Sequence, residues 1–171
     1  MVQEELSFNK LIKKKNSKNN FRFFFNKKTY LDHQDYEKFQ SIDFPAEDDS
    51  KKLLSGGLRY KGLFKNPIKD YPLISIIMPN FKEKNLLNAL SSISIQNYEN
   101  LELIVIDGNS GHETTSILKE KDDEIDIWIS EDDNGLWDAW NKGFKLARGD
   151  FVGIVDSSNI LYENSMNILK N

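Results

Sequence analysis

Two spacings of apolar residues alternate along the second half of this chain. Residues 73–78 (Leu-Ile-Ser-Ile-Ile-Met) form a β-branched run closed by Pro79, the pattern of a strand buried on both faces. Leu86, Ala89, Leu90 and Ile93 then recur at helical spacing, which predicts an amphipathic helix. A second strand is expected at 101–106, stopped by Asp107-Gly108-Asn109-Ser110-Gly111, a helix at 114–121 and a third strand at 125–129. Residues 136–147 carry a helical stripe through Trp137, Trp140 and Phe144, ending at Arg148-Gly149, a cation and a glycine suited to a helix C-terminus. A fourth strand is expected at 151–155 and the start of another helix at 164–170.

Strands alternating with helices imply an α/β fold with a mostly parallel sheet and right-handed crossovers. In such sheets ligands sit beyond the carboxyl ends of the strands. Four segments are thereby directed to one edge: 79–83, 107–110, 130–135 and 156–159. Trp128 and Trp140 are expected in the core, and Trp137 nearer the edge.

Residues 1–71 lack this periodicity and read as an extension and linker, with the regular domain over 72–171. Charge sharpens the division. Residues 1–30 hold eight Lys/Arg and two Asp/Glu, out of 23 basic and 27 acidic residues in all. The other 141 residues therefore carry 15 basic and 25 acidic side chains. Within residues 10–28 the basic residues flank Phe21-Arg22-Phe23-Phe24-Phe25. Such an arm suits peripheral contact with an anionic membrane, an accessory strand on the main domain, or a solvated tail. A nucleic-acid partner is not expected.

The chain has no cysteine, which excludes disulfides, thiolate metal sites and cysteine nucleophiles. No stretch of about 18 apolar residues predicts a membrane span, and no secretory signal pattern opens the chain. The simplest location is cytoplasmic, with peripheral attachment to the inner membrane face. His33 and His112 lack metal-ligand spacing, and neither Gly-x-Gly-x-x-Gly nor a phosphate-binding loop sequence of the Walker type is present.

Candidate chemistry lies in the strand-end segments. In Pro79-Asn80-Phe81-Lys82-Glu83, Phe81 is an aromatic placed to stack on a base; the alternative is an ordinary loop with Phe81 in the core. Asp107 can accept from a base N–H or a ribose hydroxyl beside a permissive Gly108, or it can belong to a polar turn. Asp138, Asn141 and Lys142 share one helix face, and Asp138 with Lys142 can equally form an i,i+4 surface pair.

One longer motif goes further. Asp133-Asn134-Gly135-Leu136-Trp137-Asp138-Ala139-Trp140-Asn141-Lys142-Gly143 resembles the Asp-x-Gly-hydrophobic-aromatic-Asp-Ala-x-Asn-Lys-Gly element of family 2 glycosyltransferases of the polysaccharide-assembly type. Ile106-Asp107-Gly108-x-Ser110 and the run from Pro72 to Pro79 are similar to the same family, in the same order. Gly56-Gly57-Leu58-Arg59-Tyr60-Lys61-Gly62 is similar to the lead-in of some members. The resemblance covers roughly a hundred residues.

That resemblance implies a Rossmann-like GT-A fold, here its nucleotide-sugar-binding half and therefore truncated. It implies transfer of a sugar from a nucleotide-diphospho-sugar to a glycan or lipid-linked acceptor in cell-surface polysaccharide synthesis. Donor contacts would come from Pro79, Phe81, Glu83, Asp107, Asp133, Gly135, Asp138, Asn141 and Lys142. Mg²⁺ or Mn²⁺ would sit against the donor diphosphate, held at the end of the fourth strand. There the family has Asp-x-Asp or Asn-x-Asp-Asp, and this chain has Asp156-Ser157-Ser158-Asn159. Asp156 is the metal candidate, with Ser158 and Asn159 as weaker ligands; Ser158 shares the face of Asp156 if the strand period continues. No residue is identified as the general base. Two other readings stand beside the enzyme: an inactive nucleotide-sugar-binding fragment, and an interaction module acting through the basic arm.

Overall fold

The computed structural model describes the backbone of residues 23–26 and all of residues 53–66 and 71–166. The expected extra helix at 164–170 falls mostly outside these residues, and so does most of the proposed membrane arm at 10–28.

Six strands form one mixed sheet. They are β1 (Phe23–Asn26), β2 (Leu54–Gly56), β3 (Ile74–Asn80), β4 (Leu101–Asp107), β5 (Ile127–Ser130) and β6 (Phe151–Ile154), in the order β1-β6-β3-β4-β5-β2. The four inner strands are parallel, while β1 and β2 close the two ends antiparallel. The aromatic segment Phe23–Asn26 is thus an accessory strand on β6, one of the roles expected for it.

Every residue of β3 and β4 is buried, because both faces of the sheet are covered. Ile74, Ile76, Met78, Leu103 and Val105 face helix α1 (Leu86–Ser94) and Leu118 of helix α2 (His112–Glu120). The alternate residues Ile77, Ile104 and Ile106 face Ala139, Trp140 and Leu146 of helix α3 (Leu136–Leu146). A Cβ at Gly143 would collide with the Ile77 side chain, so glycine lets α3 lie close against β3. Trp128 and Trp140 are core residues, as expected.

Residues 53–66, which show no periodicity in sequence, pack onto the same sheet. A 3₁₀ turn at Leu58–Lys61 follows β2 and places Arg59 in the interior. The Arg59 guanidinium pairs with Glu102 and donates to the Leu146 carbonyl at 2.7 Å. Glu102 also accepts from Ser75 Oγ at 2.5 Å and from the Arg148 N–H at 2.9 Å. This buried polar cluster lies at the amino-terminal end of the sheet.

The chain runs from β3 outward to β4 and β5, then returns to the other side of β3 for β6. The reversal places a topological switch point beside β3, and in open α/β sheets ligands bind at the carboxyl ends of the strands at such a point.

Candidate nucleotide-sugar site at the carboxyl edge of the sheet

Three polar residues end the central strands in register: Asn80 pairs with Asp107, and Asp107 with Ser130. Each terminates an apolar run, so each is buried next to the edge rather than in the core. Asp107 is 0% exposed and organises the others. One carboxylate oxygen, Oδ1, accepts from Asn80 Nδ2 at 2.6 Å and from Ser110 Oγ. The other, Oδ2, accepts from Ser130 Oγ at 2.7 Å and from the Ser110 N–H at 3.0 Å. Ser110 Oγ in turn accepts from the Lys82 N–H at 2.7 Å. Lys82 and Asn109 both adopt left-handed φ, 52° and 55°, and the hub holds these turns in place.

Asp107 was a candidate donor contact on sequence grounds. The structure puts it beneath the edge, with both oxygens bonded to the protein. Asn80, Ser110 and Ser130 complete that hub and were missed as site residues. The available signal was a polar residue closing each of three consecutive apolar runs.

Above the hub the loops present a small cradle. Phe81 is 64% exposed. A Cβ at Gly108 would stand 3.0 Å from Asp133 Oδ2 and 3.1 Å from Phe81 Cδ2, so glycine here lets a ring and a carboxylate both close against the backbone. The next loop is tied to this one by Asn109 Nδ2 donating to Asp132 Oδ1 at 2.9 Å. Asp133 Oδ1 accepts from the Gly135 N–H at 2.8 Å, and Gly135 enters α3 at φ 93°.

Asp138 and Lys142 do meet across one turn of α3. Lys142 Nζ lies 3.3 Å from Asp138 Oδ2 and 2.8 Å from Glu131 Oε1. Asp138 also accepts the Asn134 N–H at 3.1 Å. That bond, with Lys142, holds the Asp138 carboxyl below its ordinary range despite slight burial. Burial works to lower Lys142, but Glu131 and Asp138 outweigh it and hold the ammonium above the ordinary lysine range. The two side chains therefore brace the 131–138 loop. Asn141 is exposed beside them.

The remaining candidates are dispersed. Pro79 is buried within β3, and its carbonyl accepts from the Ser157 N–H at 3.3 Å. Glu83 accepts the Asn85 N–H at 3.0 Å just before α1. Trp137, 71% exposed, lies at the edge and packs edge-to-face on Trp140 at 4.7 Å.

The metal expectation meets a different geometry. Strand β6 ends at Ile154, and residues 156–159 form a turn closed by the Asn159 N–H and the Asp156 carbonyl at 2.9 Å. The strand period does not carry through this turn, so Asp156 and Ser158 do not share a face. Both carboxylate oxygens of Asp156 are buried from solvent, whereas Ser158 is exposed. Among the described residues no three His, Cys, Asp or Glu side chains are grouped to hold a metal ion. A hard divalent cation needs accessible oxygens, with carboxylate charge among them, and this donor set does not fit one.

The family model described as "Glycosyl transferase family 2" matches residues 75–166. The chain is 35% identical over 99 residues to an Escherichia coli protein named UDP-Glc:alpha-D-GlcNAc-diphosphoundecaprenol beta-1,3-glucosyltransferase WfgD; the match covers 57% of this chain and 39% of that one. It is 33% identical over 103 residues to the GalNAc(5)-diNAcBac-PP-undecaprenol beta-1,3-glucosyltransferase of Campylobacter jejuni, covering 57% and 33%. The match thus spans well under half the length of these relatives. Among solved structures, the Pyrobaculum calidifontis mannosyltransferase PcManGT, in complex with GDP-Man and Mn²⁺, superposes with a TM-score of 0.52 at 19% identity, over 79% of this chain and 36% of that one. Staphylococcus aureus TarS 1–349 with UDP-GlcNAc gives 0.50 at 24% identity, over 56% and 29%. At these identities the likeness shows a shared fold.

Proposed function

Because the chain belongs to glycosyl transferase family 2, we propose that its carboxyl edge binds a nucleotide-diphospho-sugar and serves transfer of that sugar to a glycan or lipid-linked acceptor. The observation that carries this reading is the cradle of Phe81, Gly108 and Asp133 above the Asp107 hub, at the switch point of the sheet. Phe81 offers an exposed ring to a base. The Asp133 carboxylate lies against the same glycine and suits base N–H or ribose hydroxyl donors. Asp138 and Lys142 fix the loop that presents Asp133, with Gly135 as its hinge. Pro79, Glu83 and Asn141 lie along the same edge and complete the proposed contact surface.

In the reaction an acceptor hydroxyl oxygen attacks the anomeric carbon. The bond from that carbon to the diphosphate oxygen breaks, and the nucleoside diphosphate leaves with the electron pair. The hydroxyl proton passes to a base, a role assigned to none of the described residues. The two named relatives act on undecaprenol-diphosphate-linked sugars by their names, which favours a lipid-linked acceptor and cell-surface polysaccharide synthesis. Among the described residues no helix is long and apolar enough to cross a membrane. We place the protein on the cytoplasmic side, with residues 10–28 as a peripheral contact.

The buried Asp156 carboxylate favours a second reading, a unit that binds nucleotide-sugar without turnover. The two are separated by titrating UDP and GDP calorimetrically and assaying sugar release and transfer from several UDP- and GDP-sugars. Transfer to a polyprenol-diphosphate sugar is the expected outcome. Nucleotide binding without turnover selects the second reading, and absence of nucleotide binding refutes both.

A further inference from the structure

The site at the end of β6 carries an inference about its chemistry that rests on reading this edge as a donor site. We infer that the 156–159 turn is not a divalent-cation site in this protein, that nucleotide binds the edge without Mg²⁺ or Mn²⁺, and that the neutral side chain at Ser158 is the reason.

The argument starts from which oxygens a cation can reach. The one carboxylate of the turn, Asp156, has both oxygens buried. The side chain that the turn does expose is the Ser158 hydroxyl, and the half-buried Asn159 follows it. Neither brings negative charge, and affinity for these hard cations rises with ligand charge.

The described acidic residues elsewhere on the edge do not substitute: Glu83 accepts the Asn85 N–H. Asp107 is saturated by Asn80, Ser110 and Ser130. Asp132 accepts from Asn109 and Asp133 from the Gly135 N–H. Glu131 and Asp138 share the Lys142 ammonium. Their charge is spread over separate internal partners rather than converging on one point. Binding a cation there would break bonds that hold the two loops. Among the described residues, Lys142, whose ammonium can exchange Glu131 for phosphate, and Lys82 beside Phe81 can compensate the charge of a diphosphate.

The test uses the full chain and two independent measurements. Mn²⁺ is titrated into the protein and followed by the electron paramagnetic resonance signal of the free ion. UDP and GDP are titrated calorimetrically in EDTA and again with excess Mn²⁺. The wild type should leave the free Mn²⁺ signal undiminished, and each nucleotide's Kd should agree between the two conditions within about twofold. Ser158→Asp, which places a carboxylate at the exposed tip of the turn, should capture Mn²⁺, while the neutral control Ser158→Asn should not.

Capture of Mn²⁺ by the wild type, or a nucleotide Kd at least about fivefold tighter with Mn²⁺, overturns the inference. Failure of a folded Ser158→Asp variant to capture Mn²⁺ overturns the assignment to that side chain. If neither nucleotide binds under any condition, the donor-site reading falls and takes metal-free binding with it. The Mn²⁺ titration still decides whether the turn is a cation site.

Discussion

Asp107 is the residue on which the geometry of the edge turns, and replacing it tests that directly. In Asp107→Ala four bonds vanish: those from Asn80 Nδ2, the Ser110 N–H, Ser110 Oγ and Ser130 Oγ. The serine hydroxyls can rotate to other acceptors. Asn80 Nδ2 retains its weaker contact with Ser110 Oγ at 3.2 Å, and the Ser110 N–H has no such freedom. A buried polar group left without its partner costs about 1–3 kcal/mol, and such costs do not add fully. The net loss expected is about 3–5 kcal/mol, in the range reserved for broken buried networks. For a chain of this size that lowers Tm by roughly 6–20 °C.

Asp107→Asn is more discriminating. Either oxygen position already receives an N–H donor, from Asn80 or from Ser110, so an amide NH₂ must face one of them head-on. A loss of about 1–3 kcal/mol is expected even from this isosteric change. Urea unfolding followed by the fluorescence of buried Trp128 and Trp140 measures both variants, with the m-value checked for constancy. If Asp107→Ala lies within about 1 kcal/mol of wild type, the carboxylate does not organise the edge and the account of the hub is wrong.

Two further predictions concern the opposite end and flank of the sheet. Arg59→Met strips Glu102 of its buried cation and should cost about 3–5 kcal/mol, while Arg59→Met combined with Glu102→Met should recover part of that loss; unfolding free energies from urea for both single variants and the double decide, and a double variant as unstable as the sum of the singles refutes the pairing. Asp126 has its carboxyl raised above the ordinary range because burial outweighs Lys65 and the Leu103 N–H. Its contribution to stability is therefore full below the ordinary carboxylate value of about 4 and is lost as pH rises through the raised folded value. Unfolding free energies measured from below that value to neutrality should slope downward from this group, and Asp126→Asn should flatten the slope; an unchanged profile refutes the assignment.

What could be read from the sequence, and what could not, follows from the range of the interactions involved. The strands β3, β4, β5 and β6 and the helices α1, α2 and α3 were legible because their apolar residues repeat at periods set by local geometry. Their boundaries shifted by at most two residues. His112 and Glu113 joined α2, for example, because Gly111 at φ 102° opens that helix earlier than the apolar stripe suggests. The lead-in at 53–66 was illegible by period because its place is fixed by a buried ion pair between Arg59 and Glu102, far apart in sequence. The same limit applies at the site. Topology brought the strand-end segments to one edge, but a motif letter does not say which way a carboxylate is turned. Asp107 and Asp133 both come at strand ends, yet one lies under the edge with four protein donors and the other, half-buried, lies against Gly108 beside the exposed Phe81. Asp156 and Ser158 share a face only under a strand period that stops at Ile154, and the turn that replaces it buries one and exposes the other. The identity of a polar residue thus marks where the edge is, while its hydrogen-bond partners, contributed by other strands, decide whether it builds the edge or meets the ligand.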